Sequence, residues 1–333
     1  MNVEEIIINN NTESKIIENY CLKNFKEFNI KNPNETILGM FYEFGLFGRK
    51  IDYKKAFELY NIGVNQKNSY AMYLLGKMYI NDNIISQDTD KAINLFKDAI
   101  ELKNPYAMCG LASIYLYNKD IDIEEIMKLF YEAIKLNNIF SMITLSFLHI
   151  EEGRIEKDVN KAIQLANMAY NINDKDINTL ILLGAIYMDE INNTDKALIY
   201  LETASNLGSI NAKYLLGQYY YKESININND GDYLSKEKAI KYYNEAIELG
   251  SSDAMVELAI NIYRGQNSKE LLEKAAKLNN PDALYHLAYM YEAKKDYNKA
   301  KELYNMAIKL GNTSAKYKYE RLINFECIIK NGK

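Results

Sequence analysis

Residues 71–79 read Ala-Met-Tyr-Leu-Leu-Gly-Lys-Met-Tyr, and the chain repeats this phrase along most of its length. The phrase begins with a small residue, has leucine four positions later and a second small residue next, and usually ends with tyrosine three positions after that. Apolar residues spaced by three and four lie on one face of an α-helix. Eight copies, three of them weaker, begin at Asn34, Ala71, Ala107, Ser141, Thr179, Ala212, Ala254 and Ala283, and a ninth, partial copy begins at Ala315.

A second phrase follows each copy of the first, and it also has helical spacing. Its clearest example is Lys91-Ala92 with Phe96 four positions after the alanine and Ala99 three positions after that. Asp or Asn directly precedes the lysine in several copies, at Asp90, Asn160 and Asp195. Such residues cap helix starts by accepting a hydrogen bond from a free backbone N–H, so we expect a helix to begin there. The two phrases therefore predict alternating A and B helices.

The second small residue of each A phrase predicts a close helix contact. Glycine fills this position at Gly39, Gly76, Gly184 and Gly217. A glycine inside a helix costs about 1 kcal/mol relative to alanine, so its repeated use indicates packing too tight for a larger side chain.

The spacing between the phrases indicates a repeat array. From the last small residue of a B phrase to the first of the next A phrase is eight residues in nearly every repeat, as from Ala99 to Ala107. A constant interval predicts a fixed turn, and glycine or asparagine there can end a helix in the left-handed conformation. The interval between A and B phrases varies. We therefore expect helix-turn-helix units stacked side by side.

These phrases resemble the Sel1-like repeats, which are related to the tetratricopeptide repeats. The resemblance implies an all-α fold, a right-handed α/α superhelical solenoid of about eight Sel1-like helix-turn-helix repeats. We expect an N-terminal extension with a capping helix over residues 1–33, the solenoid over residues 34–312, and a C-terminal capping helix and tail over residues 313–333. Capping helices would cover the apolar faces of the end repeats.

Composition narrows the class of function. The net charge is −5, from 40 Lys and Arg against 45 Asp and Glu, which argues against a basic surface for nucleic acid or membranes. No apolar run approaches the length of about 20 residues that a membrane span needs. The acidic N-terminus does not look like a secretory signal. We expect an intracellular, cytoplasmic protein that binds neither nucleic acid nor membranes.

The residues offer no catalytic, metal or cofactor site. His149 and His286 lie about four repeats apart in the sequence, which should keep them from sharing one site. The cysteines, Cys21, Cys109 and Cys327, show no pairing pattern and are expected to be buried free thiols. Hydrolase activity, which is known for cysteine-rich relatives of the resembled family, is disfavoured because the repeats lack paired cysteines. We expect a non-enzyme with no cofactor.

A calcium-binding loop is suggested by residues 226–237. Asn226, Asn228, Asp230, Gly231 and Glu237 imitate the ligand spacing of a helix–loop–helix calcium site. Asparagine at the first position removes a charged ligand, and the segment lies in the variable A–B interval. We interpret it as a polar insertion.

The resemblance implies a binding surface on the A helices, which line the concave face of tetratricopeptide arrays. The third and seventh residues of each A phrase would form a stripe, of which the members expected to bind a partner are Tyr73, Lys77, Tyr214, Gln218, Tyr285 and Tyr289. A mostly apolar stripe suits a peptide with hydrophobic anchors. The alternative is that much of it packs between helices. The expected function is a protein-binding adaptor, and a regulatory or structural subunit of a larger complex is the alternative.

Overall fold

The computed structural model describes residues 34–81, 84, 86–151, 153–225 and 233–331, with 324–331 described as backbone only. The predicted N-terminal extension, residues 1–33, lies outside the described residues. So do residues 226–232 of the calcium-like loop. All regular secondary structure in the described part is helical, which confirms the all-α repeat fold.

Eight A helices alternate with eight B helices in the described part of the chain, and one further helix follows them. The A helices are α1 Glu35–Glu43, α3 Ser69–Ile80, α5 Pro105–Tyr117, α7 Ile139–Leu148, α9 Ile177–Ala185, α11 Ile210–Ile225, α13 Ser252–Glu257 and α15 Pro281–Ala293. The B helices are α2 Tyr53–Asn65, α4 Thr89–Glu101, α6 Ile123–Lys135, α8 Val159–Ile172, α10 Thr194–Asn206, α12 Tyr233–Glu248, α14 Gly265–Lys277 and α16 Tyr297–Lys309. The last helix, α17, is Thr313–Asn331.

Two of the A helices continue into a single π-helical turn, at Ile186–Glu190 after α9 and at Leu258–Ile262 after α13. The chain divides into two compact units, and the boundary in the sequence lies between Tyr200 and Leu201, within α10.

The B helices begin two residues earlier than the sequence indicates. Asp88 caps α4, because its Oδ1 accepts a hydrogen bond of 3.0 Å from the Lys91 amide. Asp158 caps α8 in the same way, also at 3.0 Å. The prediction that Asp90, Asn160 and Asp195 cap these helices is therefore wrong. The lysine is the third helical residue, whose amide the cap accepts, so the residue before the lysine already lies in the first turn.

The constant turn between repeats has a left-handed residue at its centre. Lys103 has φ 59°, Asn279 has φ 59° and Gly250 has φ 98°. Glycine and asparagine are expected in this conformation, whereas lysine there is uncommon. The Asn104 amide then closes the turn on the Ala99 carbonyl at 3.0 Å. Asn104 also caps α5, so one residue ends one repeat and begins the next.

In three repeats, the glycine of the A helix lies against an aromatic ring of the B helix in the same repeat. In the first unit, a Cβ on Gly39 would lie 2.5 Å from Tyr60, and one on Gly76 would lie 2.5 Å from Phe96. In the second unit, a Cβ on Gly217 would lie 2.6 Å from Tyr243. Carbon atoms do not approach so closely, so the predicted tight contact is confirmed at these positions.

The A helices form the better packed layer of each unit. In the first unit α3 packs on α5, α5 on α7 and α7 on α9, and in the second unit α11 packs on α13. Among the closely packed helix pairs of the described residues, none joins two B helices. Most A helices thus pack on the B helices before and after them, and several also pack on a neighbouring A helix.

Helix α17 follows the last repeat and packs on α16. Asn312 donates to Asp282 Oδ1 at 2.7 Å, and Arg321 forms an ion pair with Glu292. Both contacts join α17 or its cap to α15. No helix of the described residues is both long and apolar enough to cross a membrane.

Candidate partner-binding surface

The six predicted binding residues lie on A helices, as pairs one helical turn apart, and we call them the inner stripe. Tyr73 and Lys77 lie on α3 in the first unit. Tyr214 and Gln218 on α11, and Tyr285 and Tyr289 on α15, belong to the second unit.

Tyr73 belongs to an aromatic cluster that joins consecutive repeats of the first unit. Its ring centroid lies 5.8 Å from that of Tyr70, 5.6 Å from that of Tyr106 and 6.0 Å from that of Phe96. Burial raises the pKa of Tyr73 well above its usual value. Much of this ring therefore contributes to packing between helices, as the alternative interpretation of the stripe anticipates.

Lys77 lies beside the Tyr73 ring, with Nζ 5.9 Å from the ring centroid. Its positive charge also acts on the buried Glu43 carboxyl of the preceding repeat and favours the charged form of that group. Lys77, the only positive residue of the inner stripe, thus partly offsets the cost of burying the charged Glu43 carboxylate.

Tyr214 and Gln218 form a polar network with the next repeat of the second unit. Gln218 Nε2 donates to Tyr214 Oη at 2.8 Å, and Tyr214 Oη donates to Glu257 Oε1 at 3.5 Å. Burial and the nearby Glu257 charge raise the pKa of Tyr214. The structure therefore adds Glu257, which the sequence did not single out, to this part of the surface.

Tyr285 and Tyr289 differ in exposure. Tyr285 is partly buried, with its ring centroid 5.8 Å from that of Tyr304. Tyr289 is 52% exposed, and Lys318 Nζ of α17 lies 5.0 Å from its ring centroid. Tyr289 thus offers a flat, accessible aromatic face on α15.

Three B-helix tyrosines pack on the small residue of their A helix, and they differ in their hydroxyl partners. The Tyr60 hydroxyl donates to Glu43, and the Tyr304 hydroxyl donates to Glu292 at 2.8 Å. Both acceptors follow the small residue by four positions. In the α11–α12 repeat that position is Tyr221, and the buried Tyr243 hydroxyl has no hydrogen-bond partner among the described residues. Sequence reasoning missed these pairs, although their constant spacing could have revealed them.

Burial of Glu43 predicts an unusual pH dependence of stability. Desolvation raises the pKa of its carboxyl, and this effect outweighs the Tyr60 hydrogen bond and the Lys77 charge. A raised pKa in the folded state means that the favourable contribution of Glu43 is complete below its unfolded pKa of about 4.3 and is lost as pH rises through the folded pKa. We expect the free energy of unfolding of wild type, relative to Glu43→Gln, to fall as the pH rises above about 4 and through the raised folded-state pKa of Glu43.

Urea unfolding of both proteins at several pH values measures this difference. Glu58→Gln is the control, because it removes one exposed carboxylate from α2 of the same unit and leaves the buried Glu43 unchanged. A wild-type advantage over Glu43→Gln that grows as pH rises would contradict the assignment.

Among the described residues, the two histidines and Cys109 are partly or fully buried. His149 is 4% exposed, and its Nδ1 lies 3.1 Å from the Glu156 carbonyl oxygen beside an open cavity of about 660 Å³. Burial lowers the pKa of His286 and raises that of the Cys109 thiol. Among the described residues, no three His, Cys, Asp or Glu side chains are grouped to hold a metal ion.

The family of the chain follows from its repeats. The model of the Sel1 repeat matches residues 36–68, 69–104, 142–174, 181–209, 210–251, 252–280 and 281–312, which is more than half of the sequence. The chain belongs to the Sel1 repeat family. The α5–α6 pair lies outside the matched ranges, although it has the helix pair of a Sel1 repeat. A comparison of the sequence with curated proteins gives no match.

Solved structures of repeat proteins are similar to this Sel1 repeat protein. Yeast Tom70 matches with a TM-score of 0.63 and 21% identity, over 92% of this chain and 66% of that one. A Sel1 repeat protein from Oxalobacter formigenes matches with a TM-score of 0.50 and 23% identity, over 72% of this chain and 99% of that one. The protective antigen c5321 of uropathogenic Escherichia coli matches with a TM-score of 0.48 and 20% identity, over 88% of this chain and 64% of the antigen. At these identities the likeness shows the fold alone.

Proposed function

We propose that this Sel1 repeat protein is a non-enzymatic scaffold whose inner stripe binds a segment of a partner protein. The exposed Tyr289 ring carries the proposal. Aromatic side chains bury a large area at a small cost in conformational entropy, which is why tyrosine is enriched among the residues that dominate protein interfaces.

The packing of the helices supports this choice of surface. Neighbouring A helices pack on each other, whereas none of the closely packed pairs of the described residues joins two B helices. We therefore expect the exposed side of the A layer to be the more tightly curved side of each unit. A curved face built from several repeats can surround an extended or helical segment. In the second unit, this face combines the Tyr289 ring with the polar groups of Tyr214 and Gln218.

Affinity capture with quantitative mass spectrometry tests the proposal. We expect Tyr214→Ala/Tyr289→Ala to lose specific partners by at least about tenfold, because interface tyrosines contribute about 2 kcal/mol or more each. Tyr233→Ala is the matched control, because Tyr233 is 73% exposed on α12, a B helix of the same unit. Unchanged capture by the double variant, with an unchanged thermal unfolding curve, would refute the proposed surface.

A further inference from the structure

One loop of the first unit contacts the repeats on both sides of it. The loop lies between α7 and α8, and we call its residues 153–158 the strap. The Asp158 amide donates to the His149 carbonyl at 2.8 Å, and the Asp158 side chain caps α8. Ile155, in the middle of the strap, is buried in the hydrophobic cluster that also contains Ile126 of α6. The strap is therefore held at its end by its own repeat and at its centre by the core.

Arg154 of the strap reaches back to the preceding repeat, α5–α6. Its guanidinium donates to the backbone carbonyls of Tyr115, Leu116, Asn118 and Ile121, at 3.2, 3.4, 2.7 and 2.5 Å. The first two carbonyls belong to the last turn of α5, and Asn118 is its C-cap. Carbonyls at a helix C-terminus carry a partial negative charge, which suits the planar set of N–H donors of a guanidinium. Arg154 thus joins two repeats through the backbone.

Lys157 of the strap reaches forward to the following repeat. Its Nζ lies 3.0 Å from each oxygen of the Glu190 carboxylate, and Glu190 ends the π-helical turn after α9. The Lys157 side chain is 43% exposed, and exposed ion pairs contribute little to stability. Arg154 is also exposed, but it makes four bonds to fixed backbone atoms, and hydrogen bonds from a charged group are the stronger kind. The contact of Arg154 is therefore the dominant one.

We propose that the strap is a conformational device that makes the α5–α6 and α7–α8 repeats open and close as one cooperative unit. Each repeat of a solenoid contacts mainly its neighbours, so single repeats can open locally unless the contacts between them are strong. Ring contact between Tyr106 and Phe140 joins the first turns of α5 and α7, with centroids 6.3 Å apart. Arg154 joins the end of α5 to the strap that follows α7. Because the two A helices are joined at both ends, neither can move away without breaking both contacts.

Hydrogen–deuterium exchange of the full chain, followed by mass spectrometry, tests the strap. In wild type, we expect the slowest amides of α5 and α7 to be equally protected, because they exchange through the same opening. In Arg154→Ala, the α5 amides should become at least about tenfold less protected than those of α7, because several bonds from a charged group are lost. Circular dichroism verifies that the variant remains folded.

Two variants serve as matched controls. Lys157→Gln removes a positive charge from the same strap and should change the protection of α5 by no more than about twofold. Arg264 is also exposed and donates to two carbonyls, those of Ile260 and Tyr263, but both belong to its own repeat in the second unit. Arg264→Ala should therefore leave exchange in the first unit at the wild-type rate.

The strap is refuted if α5 and α7 already differ tenfold or more in protection in wild type, because the two repeats then open separately. It is also refuted if Arg154→Ala affects α5 no more than Lys157→Gln does. Arg154→Lys keeps the positive charge near the end of α5 without the planar set of donors, and it provides the same comparison if Arg154→Ala does not fold. Wild-type protection in Arg154→Lys would show that charge alone is sufficient and would overturn the role of the four bonds.

Discussion

Replacing Gly217 by leucine is expected to destabilise the folded protein by about 3 kcal/mol, because overpacking a dense core costs about 1–3 kcal/mol or more. A Cβ at this position would lie 2.6 Å from the Tyr243 ring, and a leucine adds three further carbon atoms beyond it. Tyr243 is fully buried, so its ring cannot swing into solvent. The two helices would have to separate. Urea unfolding followed by circular dichroism measures the loss.

Gly153→Ala provides the control, because a Cβ there would meet no atom within 4 Å. Its effect should stay within about 0.5 kcal/mol. The contact itself is tested by combining Gly217→Leu with Tyr243→Ala. If leucine collides with the ring, the double variant is more stable than the sum of the two single effects predicts. Additive effects would place the damage elsewhere.

The repeat fold could be predicted from local spacing because each repeat contacts mainly its neighbours. The small residue of the A helix and the aromatic ring of the B helix recur in register, so the contact of Gly76 with Phe96 follows from the phrases. The predicted starts of the B helices were less accurate, because both Asp88 and Asp90 are suitable caps by residue type. Only the backbone geometry selects Asp88. The lysine at the left-handed Lys103 position shows that a fixed turn can override residue preference.

The binding surface was harder to predict, because its chemistry depends on side chains from adjacent repeats. Tyr73 packs on Tyr106 of the next A helix, so helical position alone could not separate a binding ring from a packing ring. Glu257 approaches Tyr214 across 43 positions of sequence. That approach depends on how α11 and α13 pack, and the repeat phrase carries no information about it. The inner stripe therefore stays a prediction.

Tyr60→Phe and Tyr243→Phe should have opposite effects on the free energy of unfolding. Tyr60→Phe removes the hydroxyl that donates to the buried Glu43, so we expect a loss of about 2 kcal/mol, within the range for hydrogen bonds to charged groups. Tyr243→Phe removes a buried hydroxyl that has no partner among the described residues. It should leave stability unchanged or raise it by about 1 kcal/mol. Urea unfolding of the two variants beside wild type gives both values.

The pH dependence identifies the source of the Tyr60 effect. If the loss comes from a buried carboxylate without its donor, it should shrink as pH falls toward about 4, where Glu43 binds a proton and no longer carries the charge. A loss of packing would be independent of pH, because it involves no group that gains or loses a proton. A pH-independent loss in Tyr60→Phe, or a similar loss in Tyr243→Phe, would show that these hydroxyls act through packing and that the Glu43 bond contributes little. Opposite signs, with only the Tyr60 effect depending on pH, would show that the Tyr60 hydroxyl stabilises the protein through its hydrogen bond to the charged Glu43 carboxylate.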